Sequence, residues 1–230
     1  MGAPVAPPSS VEQPAGSARL WWVITAVEVA LASVAVALDL LIPTFVLLAM
    51  AGVSLLVRRD GPSSLGLSRP STPWLAARMA AFAAAWSLFQ LAVTMPIADH
   101  LSGREQDLSA FDDLQGDLGQ LVLLLVLSWT VAAVGEEIAY RGYLQTRMRQ
   151  LFGPGWAGLV VAVVASSLLF GRAHSEQGII GVLVVSLDAV AFSYVRYRYR
   201  TVWASVLMHG WNNSFGFVAF YLVGPIHGFW

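Results

Sequence analysis

The stretch Leu118–Phe152, LGQLVLLLVLSWTVAAVGEEIAYRGYLQTRMRQLF, constrains this chain more than any other. It begins as an apolar run long enough to enter a bilayer, then places Glu136, Glu137 and Arg141 within six residues. A charge at the centre of a transmembrane helix costs roughly 2.5–3.5 kcal/mol on insertion scales, so three together must be paired, hydrated or both. The helical period supplies one pair, because Glu137 and Arg141 stand at i and i+4 with the acid first, the favoured order. For that pair a structural ion pair and direct chemistry weigh equally. Glu136 is left about 100° round the helix, beside Tyr140 and Tyr143. An intramembrane carboxylate with no local partner is a functional candidate.

Composition sets the class. Of 230 residues 57% are hydrophobic and 12% charged, against about 25% charged in soluble domains. The fold class expected is all-α, a polytopic transmembrane helical bundle in a cell membrane. A net charge of −1 carries no basic excess for nucleic acid. The absence of cysteine excludes disulfides, thiol catalysis and Cys-ligated metals.

Apolar runs predict about seven spans: Trp21–Leu38, Leu41–Val57, Trp74–Met95, Leu118–Tyr140 with a helical extension, Trp156–His174, Gly178–Val195 and Val202–Val223. Residues 1–18 read as a disordered tail rich in Pro, Ala and Ser. It lacks the basic n-region of a cleaved signal, so the first run is expected to be an uncleaved anchor. Residues 19–73 form an N-terminal hairpin and cytoplasmic linker, 74–224 the membrane core, and 225–230 a short tail. Arginine placement orients the seven spans, since short Arg-rich loops lie in the cytoplasm. Arg19, Arg58, Arg59, Arg69, Arg147, Arg149, Arg196, Arg198 and Arg200 all fall on one side. The N-terminus is therefore expected in the cytoplasm and the C-terminus outside, with the acidic 99–117 loop.

Two other runs carry histidine where lipid-facing sequence would not: Phe170 to His174, and His209 to Asn213. Both spacings are i and i+4, which puts each pair on one helix face. Glu136 lies 18 residues before Pro154 and His174 lies 20 after it, so antiparallel helices bring them level, roughly 27–30 Å from the turn. His209 is 9 residues beyond Arg200, roughly 14 Å along its helix. These heights agree if the fourth and fifth spans protrude, which sets a common site in the cytoplasmic half. A lone buried His or Asn is more often a helix–helix hydrogen-bond partner than a catalyst; three such motifs together reverse that weighting. Glu28 and Asp188 are single membrane acids expected to bond to a neighbouring helix or lie near a span end.

With Glu136-Glu137-x-x-x-Arg141, Phe170-x-x-x-His174 and His209-x-x-x-Asn213 in order on successive helices, the chain resembles the CPBP family. That family contains the type II CAAX prenyl endopeptidases and bacterial bacteriocin-processing or immunity proteins, often called Abi. The resemblance covers roughly Trp74 to Tyr221; Arg172, inside the second motif, has no role in it. It implies an intramembrane endopeptidase acting on a peptide or protein reached from the membrane or cytoplasmic side. By carry-over Glu136 is the general base, His174 holds the attacking water, and His209 and Asn213 stabilise the oxyanion. Glu137, Arg141 and Phe170 would support them. Many members are labelled metalloproteases, and Glu136, His174 and His209 would be the N/O ligands if zinc were bound. H-E-x-x-H is absent, however, and the expectation is no obligatory cofactor. Two other classes compete: a non-catalytic immunity factor or scaffold that holds a peptide in the same cavity, and a transporter with a proton relay. The lack of an internal repeat argues against common transporter folds.

Overall fold

The computed structural model describes residues 15–67 and 73–229. Most of the expected tail, and Arg69 of the linker, lie outside the described residues. Within them the regular structure is helical, with no strand. The long helices are α1 (Ala15–Ala37), α2 (Pro43–Arg58), α3 (Pro73–Ser102), α4 (Leu118–Phe152), α5 (Trp156–Arg172), α6 (Gly178–Tyr199) and α7 (Val202–Val223).

Four segments are long and apolar enough to cross a membrane: Ala18–Ala37, Pro73–Ser102, Leu118–Phe152 and Ser175–Tyr199. Helices α2 and α5 are apolar but shorter. Helix α7 has the length, yet His209, Asn212 and Asn213 dilute its apolar character. Length and composition thus support a helical membrane bundle with four spanning candidates and do not carry a count of seven. Two of the three residues that weaken the signal in α7, His209 and Asn213, are ones expected to do chemistry.

Local chemistry sets the boundaries. Pro43 opens α2, where its missing N–H costs nothing. Asp117 caps α4 by accepting from Gln120 N at 2.9 Å, and Thr201 caps α7 by accepting from Trp203 N at 3.3 Å. The α4–α5 turn, Gly153-Pro154-Gly155, is clasped by the Arg149 guanidinium, which donates to all three carbonyls. Within α4, residues Ser128–Leu144 wind with π-type i→i+5 bonds, flanked by α-helix on both sides. Such windings are rare and frequent at functional sites. In this one lie Glu136, Glu137 and Arg141.

Successive helices alternate in direction, which sorts the loops to two ends. At one end lie Arg58, Arg149, Arg198 and Arg200, tied together where Val202 N donates to Gly66 O at 2.9 Å. At the other lie the α1–α2 turn, residues 103–117 and the His174–Gln177 turn, tied where Asp107 N donates to Gln177 O at 3.0 Å. Two of the arginines expected in loops, Arg147 and Arg196, are buried instead, and Arg58 is half-buried. Glu28 pairs with Arg58 at 2.9 Å and Arg147 at 3.4 Å, and Ser54 donates to it at 2.9 Å. Arg196 donates to Gln145 Oε1 at 3.0 Å and Thr146 Oγ1 at 2.6 Å. Glu28 therefore has two cationic partners that spacing along the chain could not reveal.

Helix α4 is the axis of the bundle, packed against α2, α5 and α7; α3 lies along α7, and α6 along both α5 and α7. Gly171 lets α5 and α6 close: a Cβ there would stand 2.5 Å from Val182 O.

Candidate active site

Glu137 is fully buried and stands 3.0 Å from Arg141 Nη1, as the i,i+4 spacing predicts. The guanidinium lies 4.2 Å from the Phe170 ring centroid and 5.3 Å from that of Phe192. These faces complete its desolvated surroundings with cation–π attraction. The same Glu137 oxygen, Oε1, is 3.0 Å from His209 Nδ1. Since a carboxylate only accepts, Nδ1 carries a proton and Nε2 is turned the other way. His209 Nε2 lies 4.0 Å from Glu136 Oε2, and the Phe192 ring stacks on the imidazole with centroids 4.9 Å apart. Glu137 thus does more than fix α4: it orients the histidine of α7.

His174 departs from expectation in its backbone. Helix α5 ends at Arg172, and His174 sits in the following turn, not within the helix. It remains beside Phe170 because its Nδ1 donates to Phe170 O at 2.9 Å, satisfying a carbonyl the ending helix leaves open. A carbonyl cannot donate, so the neutral ring keeps its lone pair on Nε2. Phe170 is the common neighbour, with ring centroids 4.8 Å from His174, 6.0 Å from His209 and 5.0 Å from Tyr140.

Glu136, His174, His209 and Asn213 all line one cavity of about 700 Å³. Its volume falls in the ordinary range for ligand sites, about 300–1,000 Å³. Much of the wall is aromatic and aliphatic, from Leu91, Met95, Phe111, Phe217 and Phe220 among others. Glu136 Oε2 is buried without a hydrogen-bond partner among the described residues. A buried carboxylate oxygen left open in this way needs a donor. The cavity also runs to Gln106, Glu176 and Gln177 at the end opposite the arginines. Confinement of the site to the arginine half, as the helix heights predicted, does not hold, because His174 lies past the far end of α5.

Several residues of this wall carried no sequence motif. Asp188 lines the cavity and accepts from Trp86 Nε1 at 2.6 Å and Gln90 Nε2 at 3.1 Å. Asn212 accepts from Ser87 at 2.9 Å. Trp86, Ser87 and Gln90 share one face of α3, so that helix contributes to the site although no spacing within it announced the role. Among the described residues no three His, Asp or Glu side chains stand close enough to hold a metal ion. Glu136, His174 and His209 do not form a ligand set in this geometry, and no step below runs through a metal.

Residues 118–215 match the family model for type II CAAX prenyl endopeptidase, Rce1-like. The segment is Rce1-like. It contains all three motifs and ends two residues past Asn213, and the family it is similar to is one of peptidases. Helices α1, α2 and α3 lie outside the Rce1-like segment, although α3 lines the cavity and α2 packs on α4. No curated protein and no solved structure matches the chain.

Proposed function

We propose that the protein is an intramembrane endopeptidase that hydrolyses a peptide bond with a water activated by Glu136. The observation that carries this reading is the meeting of Glu136, His174, His209 and Asn213 on the wall of one largely apolar cavity. A water there would give one proton to a hydrogen bond with Glu136 and the other to the Nε2 lone pair of His174. Its own lone pair would then face the carbonyl carbon of the peptide. On attack the new C–O bond forms, Glu136 takes a proton from the water, and negative charge moves to the carbonyl oxygen. Asn213 and the Nε2–H of His209 would stabilise that oxyanion. Donation from both nitrogens of His209 requires the imidazolium, whose charge Glu137 and Glu136 balance. The C–N bond then breaks as Glu136 passes its proton to the leaving amine, giving a carboxylic acid and an amine. The acid's proton, the second from the water, passes to the amine, so the products leave as carboxylate and ammonium.

No obligatory metal takes part in this scheme. The arginine-bearing end faces the cytoplasm, the N-terminus with it, and the peptide substrate reaches the cavity from within the membrane. The test is comparative proteomics of membranes from cells carrying wild-type or Glu136→Gln protein. Peptides that end at a defined new terminus only with the wild type are expected. Equal peptide sets with folded protein in both would sink the peptidase reading in favour of an immunity factor or scaffold.

A further inference from the structure

Glu136 and His174 face two cavities, not one. They also line a smaller cavity of about 250 Å³, together with Asp39, Leu41, Pro43, Thr44, Tyr140 and Glu176. Its volume is below the roughly 300 Å³ at which whole small-molecule sites begin, and is suited to a single side chain. Three of its lining residues are carboxylates and none is Arg or Lys. The neighbouring cation, Arg172, is exposed and donates to Ser175 at 2.5 Å.

Two observations independent of that charge point to an occupant. Tyr140 is 1% exposed, and its hydroxyl has no hydrogen-bond partner among the described residues. A buried hydroxyl without a partner costs about 1–3 kcal/mol unless something fills the place. The α1–α2 turn that forms the facing wall is also strained. Asp39 and Leu41 hold φ of 50° and 56°, in the left-handed region that bulky residues avoid and that clusters at binding sites. Leu41 is 90% exposed, so burial does not hold it there. Thr44 carries the turn onto α4, where a Cβ at Gly135 would lie 3.6 Å from its methyl group.

We propose that this smaller cavity is the subsite for a cationic residue of the substrate, lysine or arginine, next to the bond that is cleaved. The inference rests on the endopeptidase reading and adds a specificity to it. Asp39 and Glu176 supply attraction at the rim, the Tyr140 hydroxyl accepts an N–H, and Leu41 and Pro43 cover the aliphatic stem. The carboxylates do not converge on one point as metal ligands must. They suit the several divergent donors of an ammonium or guanidinium group. Sharing a wall made of Glu136 and His174 sets the cationic residue beside the reacting carbonyl.

The experiment uses full-length protein in lipid nanodiscs and apolar quenched-fluorescent decapeptides. One position, stepped along the peptide, is Arg, Lys, Glu or the uncharged norleucine. Binding is measured on the Glu136→Gln variant and cleavage on the wild type. At one register Arg and Lys peptides are expected to bind at least tenfold tighter than norleucine. Asp39→Asn and Glu176→Gln should each reduce that preference about two- to fivefold, the range for exposed charge pairs. Tyr140→Phe should reduce it about tenfold, as for a buried hydrogen bond to a charged group, with norleucine binding unchanged in all three. Lack of any preference for Arg or Lys at every register overturns the subsite, and cleavage that persists would leave the peptidase reading intact. A preference in binding that falls in these variants as stated supports the subsite even if no peptide is cut, an outcome that would remove the peptidase reading alone.

Discussion

Glu137 Oε1 lies 3.0 Å from His209 Nδ1 and is also the oxygen that faces Arg141 Nη1 at 3.0 Å. One carboxylate oxygen therefore joins a structural cation to a site histidine, across helices 72 positions apart in sequence. This sharing means that damage at Arg141 should travel to the site. It also means that the contribution to folding and the contribution to chemistry are separable by measurement.

Arg141→Ala is expected to lower the amount of folded protein, because removing one partner of a desolvated pair costs about 3–5 kcal/mol. Both side chains are at most 1% exposed, so water cannot replace the lost partner. Thermal denaturation of purified protein in detergent checks this. Unchanged melting with activity lost would instead make Arg141 a participant in the reaction.

The cluster at Glu28 gives a second stability prediction. Glu28→Gln leaves Arg58 and Arg147 without their shared carboxylate, and should cost about 1–3 kcal/mol, the range for an uncompensated buried polar group. Glu28, Arg58 and Arg147 line neither cavity, so protein that survives should cleave at the wild-type rate per folded molecule. A selective loss of turnover with normal melting would place this cluster in the mechanism.

Gly171→Ala tests the close approach of α5 and α6. The added Cβ would meet the Val182 carbonyl at 2.5 Å, and backbone has little room to yield. Overpacking of this kind costs about 1–3 kcal/mol. Because the Gly171 carbonyl holds the turn that carries His174, accepting from His174 N at 2.9 Å, turnover should fall more than stability. Melting and turnover measured on the same preparation separate the two.

The three motifs were legible because i,i+4 spacing survives the change of winding in α4 and the end of α5. In a π-type turn residues four apart still adjoin, so Glu137 meets Arg141. At the end of α5 the His174 side chain caps Phe170 O and stays on the same side. What spacing could not show is pairing between distant helices. Glu28 with Arg147, Glu137 with His209, and Asp188 with Trp86 all join residues far apart in the chain. The burial of Arg147 and Arg196 was hidden for the same reason: charge placement along a sequence does not distinguish a hydrated loop cation from one buried against a partner. The smaller cavity was hidden more thoroughly, since its turn owes its shape to positive φ at Asp39 and Leu41, residues whose identity gives no sign of it.

Orientation is testable directly. Reporter fusions after Arg149 and Arg200 are expected to read cytoplasmic, and one after Asp112 external, following the bias of exposed arginines to one end of the bundle. An external signal after Arg149 would invert the topology and turn the end of the cavity lined by Gln106 and Gln177 to the cytoplasm.

The last prediction separates a base from a ligand. With Glu136 taking the water's proton and His174 holding the water, Glu136→Gln and His174→Ala should each abolish turnover while the protein stays folded, since both act before the tetrahedral intermediate. Asn213→Ala should leave residual activity, because one oxyanion donor is worth about a hundred- to a thousandfold. Exhaustive treatment with a strong zinc chelator should leave wild-type activity unchanged, and elemental analysis of active protein should find no stoichiometric metal. Loss of activity that zinc alone restores would make Glu136, His174 and His209 ligands. For that outcome His209 Nε2, now 4.0 Å from Glu136 Oε2, would have to share a metal with that oxygen at roughly 2.0–2.2 Å from each. Two ligands at those lengths with tetrahedral angles stand closer together than 4.0 Å, so helices α4 and α7 would have to draw inward on binding zinc. A melting temperature that rises with added zinc in the wild type, and not in His209→Ala, would report that movement and overturn the metal-free scheme independently of turnover.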